Sequence, residues 1–454
     1  MYKTFGLSTE WTRPGEVDRL ARQTQGERVH PAAPPKSEQE QVDQNRVTLL
    51  GRSAYYGVFA YISALTGSFW LLVLMQAAVV GGTVLLLTTD LGGDGKSKRF
   101  GWAAIFLLLL AATTTAPFFT SFVMPDVFSG IAIIAAAMLM FSPRLSRNHA
   151  IAWFMHCMAA ALFHSSHVLI LLGLSTLGAI LTWRQNKQDR RWGRVLLVLV
   201  AAMVGLLGET VFVKGVNAAL GSPPVRPPFL SARLIDDGPG LRLIREKCDT
   251  EKFYVCEFRD RRLQGSDNIL WSTDPFEGVF NTLDAAGKRR LADEQGRFVL
   301  EVVKAYPFDV LQSTVRSAAR QLGLMQLSEF RDIDRNSGNS PAGSTVDQTR
   351  LHDAGALAPI VDSYGKFSIA VAILALLALP ILVRYRLLGW QLALTVAAGV
   401  LFNAIICGGL STPHDRYGAR VLWVIPLIAV VALGKLAPFP GGSTRWRTEP
   451  VSLH

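Results

Sequence analysis

Apolar residues in this chain gather into runs separated by short polar connections, near 68–88, 102–122, 127–142, 149–163, 166–183, 195–213, 366–383, 389–409 and 420–436. The runs approach the ~17–25 residues that cross about 30 Å of hydrocarbon at about 1.5 Å per residue. They lack the alternation of a barrel strand, and lipid offers the backbone no hydrogen-bond partner, so the pattern predicts helices. The fold class expected is an all-α polytopic membrane protein with about nine transmembrane helices. Met124-Pro125-Asp126 and His164-Ser165-Ser166-His167 break 102–142 and 149–183 into tight hairpins. The apolar stretch 54–88 is short for two spans. Its first part, 54–66 with Tyr55, Tyr56, Phe59 and Tyr61, therefore reads as a membrane-surface helix leading into the first span.

Between the sixth and seventh runs lies a long polar segment, 216–365. It opens on Pro223, Pro224, Pro227 and Pro228, a linker signal. Leu291, Phe298, Val302 and Tyr306 share one face of an amphipathic helix over 284–305, stopped by Pro307. A second helix is expected over 308–326, and Asn336 to Gln348 reads as a loop. The chain thus divides into a polar segment 1–53, a membrane part 54–215, a mainly helical inserted domain 216–365, three last spans over 366–436 and a tail 437–454.

Composition agrees with a membrane protein. Half of the 454 residues are apolar and only 18% are charged. The net charge of +11 is read through its placement. Lys96, Lys98, Arg99, Arg144, Arg147, Arg184, Lys187, Arg190, Arg191, Arg194, Arg384, Arg386, Lys435, Arg445 and Arg447 all fall on one side of a nine-span arrangement. The positive-inside rule makes that side cytoplasmic, with the C-terminus, and puts 1–53 and 216–365 outside, the latter as a periplasmic domain of a bacterial inner membrane. No soluble face gathers the charge, which excludes nucleic acid as a partner and leaves the lipid bilayer.

Cys157 and Cys407 sit inside spans and read as packing residues. Cys248 and Cys256 fall in the inserted domain, where an oxidising compartment and short spacing favour a disulfide. A metal site is the alternative, weakened by the lack of a nearby His.

Eight ionisable residues map to the outer ends of spans: Asp126, His164, His167, Glu209, His414, Asp415, Arg416 and Arg420. Charges at membrane depth are costly, so each needs a partner or a role. Singly, each has a bland explanation. Asp126 follows Pro125 and suits a helix cap, and His164 and His167 suit an interface but are too few for a metal site. Glu209 suits a headgroup zone beside Lys214, and Arg416 and Arg420 suit snorkelling. Together they make a cluster fitted to an anionic, lipid-carried substrate. Guanidinium forks and helix N–H groups favour phosphate, and a carboxylate such as Asp126 suits a general base.

The segment Phe118-Phe119-Thr120-Ser121-Phe122-Val123-Met124-Pro125-Asp126-Val127-Phe128-Ser129-Gly130 resembles the third and fourth spans of polyprenyl-phosphate-sugar glycosyltransferases of the C fold. That class includes lipid A aminoarabinose transferase and protein O-mannosyltransferases. His414-Asp415-Arg416-Tyr417, followed by Pro426-Leu427, is similar to the Arg-Tyr…Pro-Leu run of their late spans. Val299 to Leu322 with Tyr306-Pro307 is similar to an external segment of that class, and His164–His167 fall where it often has a lysine or another polar residue. The resemblance implies a sugar donor on a polyprenyl phosphate and a glycan, lipid or protein acceptor. It implies Asp126 as the acidic active-site residue and Arg416 and Arg420 at the carrier phosphate, and it leaves a divalent metal open. The family's usual aspartate, in a first external loop, has no convincing match. Glu38, Glu40 and Asp43 precede Gly51-Arg52-Ser53-Ala54-Tyr55-Tyr56, which looks like the end of that loop, and the apolar span that the family places before it has no counterpart in 1–53.

Two other classes share parts of the pattern. A lipid-linked polysaccharide polymerase or ligase would place its Arg and His inside the large loop, where this chain has only His352 among histidines. A transporter would show internal repeats and mid-bilayer polar residues. A non-catalytic partner in envelope biogenesis also fits the topology. Reporter fusions at Ser340 and Ser443 are expected to report opposite compartments, and equal activity at both would overturn the span assignment.

Overall fold

A computed structural model describes residues 49–50, 53–91, 96–143, 145–331 and 354–436. Glu38, Glu40, Asp43, Arg144, the stretch 336–348, His352, Arg445 and Arg447 lie outside the described residues. Among those described there is no strand, only an isolated bridge between Leu49 and Val225.

The first eight helices follow the apolar runs. They are α1 (Ala54–Leu65), α2 (Trp70–Leu91), α3 (Lys96–Thr113), α4 (Ala116–Ser121), α5 (Val127–Phe141), α6 (Arg147–Phe163), α7 (Ser165–Trp183) and α8 (Trp192–Leu220). Ser53 starts α1 by accepting from the Tyr55 amide, and Gly67, at a positive φ of 74°, turns the chain into α2. Helix α1 buries Tyr56, Ala60 and Ser63 and leaves Val58, Phe59, Ile62 and Leu65 exposed, so its open side is the apolar one.

The run expected at 102–122 is two helices. Thr113 and Thr114 turn their hydroxyls back onto the carbonyls of Leu109 and Leu110, while Thr115 leaves the helix to donate to Ala419. Threonine offers such side-chain alternatives to the backbone ladder, and Pro117 in the first turn of α4 cannot continue an earlier helix.

Helix α5 is the axis of the bundle. Every residue from Val127 to Met140 is buried, packed against α6, α7, α8 and later helices. Small residues set the spacing. A Cβ on Gly130 would lie 2.5 Å from the Trp423 ring, and one on Gly399 2.5 Å from Ile133. Without a hydrophobic drive between helices in lipid, this close backbone approach is what holds them.

The inserted domain holds α9 (Phe229–Asp236), α10 (Pro239–Lys247), α11 (Ser266–Trp271), α12 (Ala285–Asp293), α13 (Gln295–Ala305), α14 (Pro307–Gly323) and α15 (Ser328–Arg331). It has its own core, in which Leu291, Phe298, Val302 and Tyr306 are buried as their shared face requires. The helix expected over 284–305 is interrupted at Glu294, whose carboxylate accepts from the Tyr254 amide at 2.5 Å. Pro307 opens α14 instead of merely ending α13. Cys248 and Cys256 are joined, with Cα atoms 5.6 Å apart.

The chain finishes with α16 (Ala354–Arg384), α17 (Trp390–Leu410), α18 (Asp415–Ala419) and α19 (Val424–Leu433). The last run begins five residues earlier than the hydropathy suggests and breaks at 420–423, ahead of Pro426. Among the described residues, six helical stretches are long and apolar enough to cross a membrane: Trp70–Leu91, Ser165–Trp183, Trp192–Leu220, Ala358–Arg384, Trp390–Leu410 and Asp415–Leu433. The runs at 102–122, 127–142 and 149–163 yield the shorter helices α3 to α6, of which Arg99–Thr113 and Val127–Phe141 are apolar over ten or more residues.

The disulfide closes a small loop and by chain-entropy reasoning adds about 2–3 kcal/mol to the inserted domain. Alkylation of the unfolded, unreduced protein followed by mass measurement should leave both thiols unlabelled. Two labels on Cys248 and Cys256 would exclude the bond.

Candidate functional site

Asp126 sits at the start of α5 but does not cap it with its side chain. The carboxylate turns to Arg420, whose Nη1 donates to Oδ1 at 3.0 Å. Asp126 is 4% exposed and Arg420 1%. A charge this deep is tolerated only when paired and hydrogen-bonded, and the free N–H groups at the start of α5 favour the carboxylate further. Arg420 is satisfied on its other edges too. Nε and Nη2 reach Asn403 Oδ1 at 3.2 and 2.9 Å, and Nη2 also reaches Ser166 Oγ at 3.2 Å and Cys407 Sγ at 3.1 Å. Asn403 is aimed by its own donation to the Tyr417 carbonyl at 2.6 Å and by Ser129 Oγ at 3.3 Å. Cys407 is therefore an acceptor in this network as well as a packing residue, while Cys157 is buried and unbonded to another cysteine.

Arg416 lies one turn before Arg420 and nearer the surface, 17% exposed. Its Nε is 3.8 Å from Asp126 Oδ1, and its Nη1 is 3.2 Å from Glu329 Oε2 on α15. The buried Nε makes no hydrogen bond among the described residues. Tyr417 lies under both guanidiniums, 5.2 Å from Arg416 and 5.1 Å from Arg420. Arg416 is thus shared between a buried carboxylate and a half-exposed one.

The neighbours of Arg416 fasten the inserted domain to the last span. His414 Nε2 is 3.1 Å from Asp267, and its other ring nitrogen is 3.9 Å from Glu329. Asp415 accepts from the Gln326 amide at 3.1 Å and from Ser328 Oγ at 2.7 Å. Gln321 on α14 both accepts from the His414 amide and donates to its carbonyl, at 2.9 and 2.8 Å. Ser266 and Thr412 are hydrogen-bonded hydroxyl to hydroxyl. Arg233 of α9 donates to the Gly408 carbonyl at 3.1 Å.

The other expected residues separate. His164 caps α7, with Nδ1 accepting from the Ser166 amide at 3.1 Å and 2.8 Å from Ser166 Oγ. Through Ser166 it is one step from Arg420. His167 is fully buried, 5.3 Å ring to ring from His164, with Nδ1 2.9 Å from the Ala160 carbonyl. Glu209 pairs with Arg226 rather than Lys214. With His164, Ser53, Tyr55 and Phe229 that pair lines a separate cavity of about 100 Å³.

Sequence reasoning passed over several members. Asn403, Ser129 and Cys407 are uncharged residues inside apolar runs and Ser166 lies at the break before one, so no charge singles them out as partners of Arg420. Glu329 and Asp267 sit in a polar domain where acids are ordinary. At the opposite end of α5, Asp90 accepts from Trp153 Nε1 at 2.7 Å and contacts His149, and Arg191 and Arg194 donate to the Ser142 carbonyl at 3.0 and 2.8 Å. A carboxylate in the last turn of an apolar run was the available clue to Asp90. Among the described residues no group of three His, Cys, Asp or Glu is placed to hold a metal ion.

No protein-family profile, curated protein or solved structure matches this chain.

A carboxylate fixed by two guanidiniums is a weak base, so Asp126 in this arrangement can position Arg416 and Arg420 and balance their charge. Arg416 is the less buried of the two cations and also contacts the part-exposed Glu329. The junction itself is testable through Gly418, where a Cβ would fall 2.1 Å from the Leu324 carbonyl oxygen. Gly418→Ala should cost about 1–3 kcal/mol, as forced overpacking does. Thermal unfolding in detergent reads this directly, and parent-like melting would mean that 411–418 is not clamped.

Proposed function

We propose that this is a nine-span inner-membrane glycosyltransferase that moves a sugar from a polyprenyl phosphate to an acceptor at the outer leaflet. In this reading the shorter helices α3 and α4, α5 and α6 complete the span count, the inserted domain is periplasmic, and the C-terminus is cytoplasmic. Support for that orientation comes from Arg191 and Arg194, which donate to the Ser142 carbonyl at the end of α5 away from Asp126.

The observation that carries the proposal is Arg416, shared between Asp126 and Glu329 where the helix ends meet the inserted domain. The carrier phosphate takes Arg416 from Glu329, since a guanidinium fork matches phosphate oxygens well. Arg420, fully engaged inside, holds Asp126 and through it the inner edge of Arg416. The released Glu329 carboxylate accepts the proton of the acceptor hydroxyl. The acceptor oxygen then bonds to the sugar carbon as the bond from that carbon to the phosphate oxygen breaks, and polyprenyl phosphate leaves. Asp126 is a positioning residue in this scheme, and His414 orders Glu329 and Asp267 at the open edge. Glu38, Glu40 and Asp43, which precede the segment resembling the end of the family's first loop, lie outside the described residues, and no metal enters the scheme.

One observation favours a second reading, a non-catalytic partner in envelope assembly. Arg420 is saturated by Asp126, Asn403, Ser166 and Cys407, which is what a purely structural clasp looks like.

The two readings part on binding. A short-chain polyprenyl phosphate should bind the purified protein, and Arg416→Gln should weaken that binding about tenfold or more, some 1.4 kcal/mol or above, with little change in melting. Glu329→Gln should spare binding and lower turnover by roughly 10²–10⁴-fold. Equal binding by parent and Arg416→Gln, or none by the parent, would favour the clasp.

A further inference from the structure

Helix α14 has three kinds of surface. Ser313, Ser317 and Gln321 face inward and pack on the last turns of α17, where a Cβ on Gly408 would meet Gln321 and the Ser317 carbonyl, and one on Gly409 would meet Thr314. Phe308, Leu311, Val315 and Leu322, spaced three, four and seven residues apart, form a second stripe, and it is open: Phe308 is 83% exposed, Leu311 61% and Val315 59%. Between these two stripes, at 100° per residue, come Gln312, Arg316 and Arg320, all exposed. A helix of a water-soluble domain would not present that apolar row to solvent.

The neighbouring helix says what covers it. The stretch Trp390–Leu410 is apolar enough to span a membrane, and it leaves Leu401, Ile405 and Leu410 exposed beside the turns on which α14 rests. Because Thr314, Ser317 and Gln321 of α14 meet Gly408 and Gly409, the helix and its open stripe lie at the level where α17 ends. Its flank of two arginines suits lipid phosphates at the same depth.

We propose that α14 is an interfacial helix, with Phe308, Leu311, Val315 and Leu322 seated in the bilayer surface and Arg316 and Arg320 on headgroup phosphates. The inserted domain then rides on the membrane through its own helix, as amphipathic helices with basic flanks do, and does not project freely into water. This seat brings the charged layer of His414, Arg416 and Glu329 to headgroup height, because α14 ends next to His414. The inference needs only the membrane-spanning nature of α17 and is independent of sugar transfer.

The test uses the full chain in vesicles of phosphatidylglycerol and phosphatidylcholine, with a nitroxide at Leu311→Cys, Val315→Cys, Gln312→Cys or Arg316→Cys in turn. Labelling is selective, since Cys157 and Cys407 are buried and Cys248 and Cys256 are joined. Labels at 311 and 315 should collide with oxygen and be several-fold shielded from a water-soluble nickel chelate, with the reverse at 312 and 316. Equal nickel access at all four positions would overturn the proposal. So would shielding of 311 and 315 from both reagents, which would mean that protein covers the stripe. With the 315 label in place, Arg316→Gln with Arg320→Gln should raise nickel access several-fold. Unchanged access would overturn the headgroup role of the arginines.

Discussion

The structure depends on a buried charge at the start of a helix with no solvent-facing side. Helix α5 is surrounded along its whole length, so the polar group at its entry cannot reach water. Asp126 therefore requires a cation at its own depth, and Arg420 provides it. Once Arg420 is committed, its remaining donors require acceptors, and α17 and α7 supply Asn403, Cys407 and Ser166. Four elements distant in sequence are thereby locked in register at one end of the bundle. At the other end of α5 the logic is reversed, with Arg191 and Arg194 on the Ser142 carbonyl, where cations suit the helix C-terminus.

From this clasp the charge pattern opens outward in steps. Arg420 is sealed, Arg416 is partly open, and His414 with Glu329 and Asp267 is more open still. The residues that fasten the inserted domain to the membrane part are also those that an anionic headgroup would meet first. Under the proposed function, attachment and recognition draw on the same side chains, and a substitution there disturbs both. Arg416 is the best single residue for separating the two, because its loss leaves the sealed pair intact.

Much of this was legible in the sequence because ionisable residues at the ends of apolar runs are rare and must converge on something. Asp126, Arg416 and Arg420 do converge, and Cys248 and Cys256 are joined as their spacing suggested. The partners were not legible. Nothing distinguishes Asn403 or Ser166 from other small polar residues in an apolar helix until the fold brings Arg420 to them. Glu209 reads as a headgroup-zone residue beside Lys214, and only the turn of the chain at 221–226 brings Arg226 back to pair with it. Hydropathy also misses helix breaks. It does not register threonines that bond back to the previous turn, so α3 and α4 read as one run, and it does not register that α18 precedes the apolar part of the last span.

The central claim is that Asp126 and Arg420 form one energetic unit on which the packing around α5 rests. A double-mutant cycle on Asp126→Asn and Arg420→Met, read by equilibrium unfolding in mixed micelles, tests it most directly. Each single change strands a buried polar or charged partner and should cost about 3–5 kcal/mol, and the double variant should cost clearly less than the sum. Additive costs would contradict the account, since they would mean that the two side chains stabilise the bundle independently of each other.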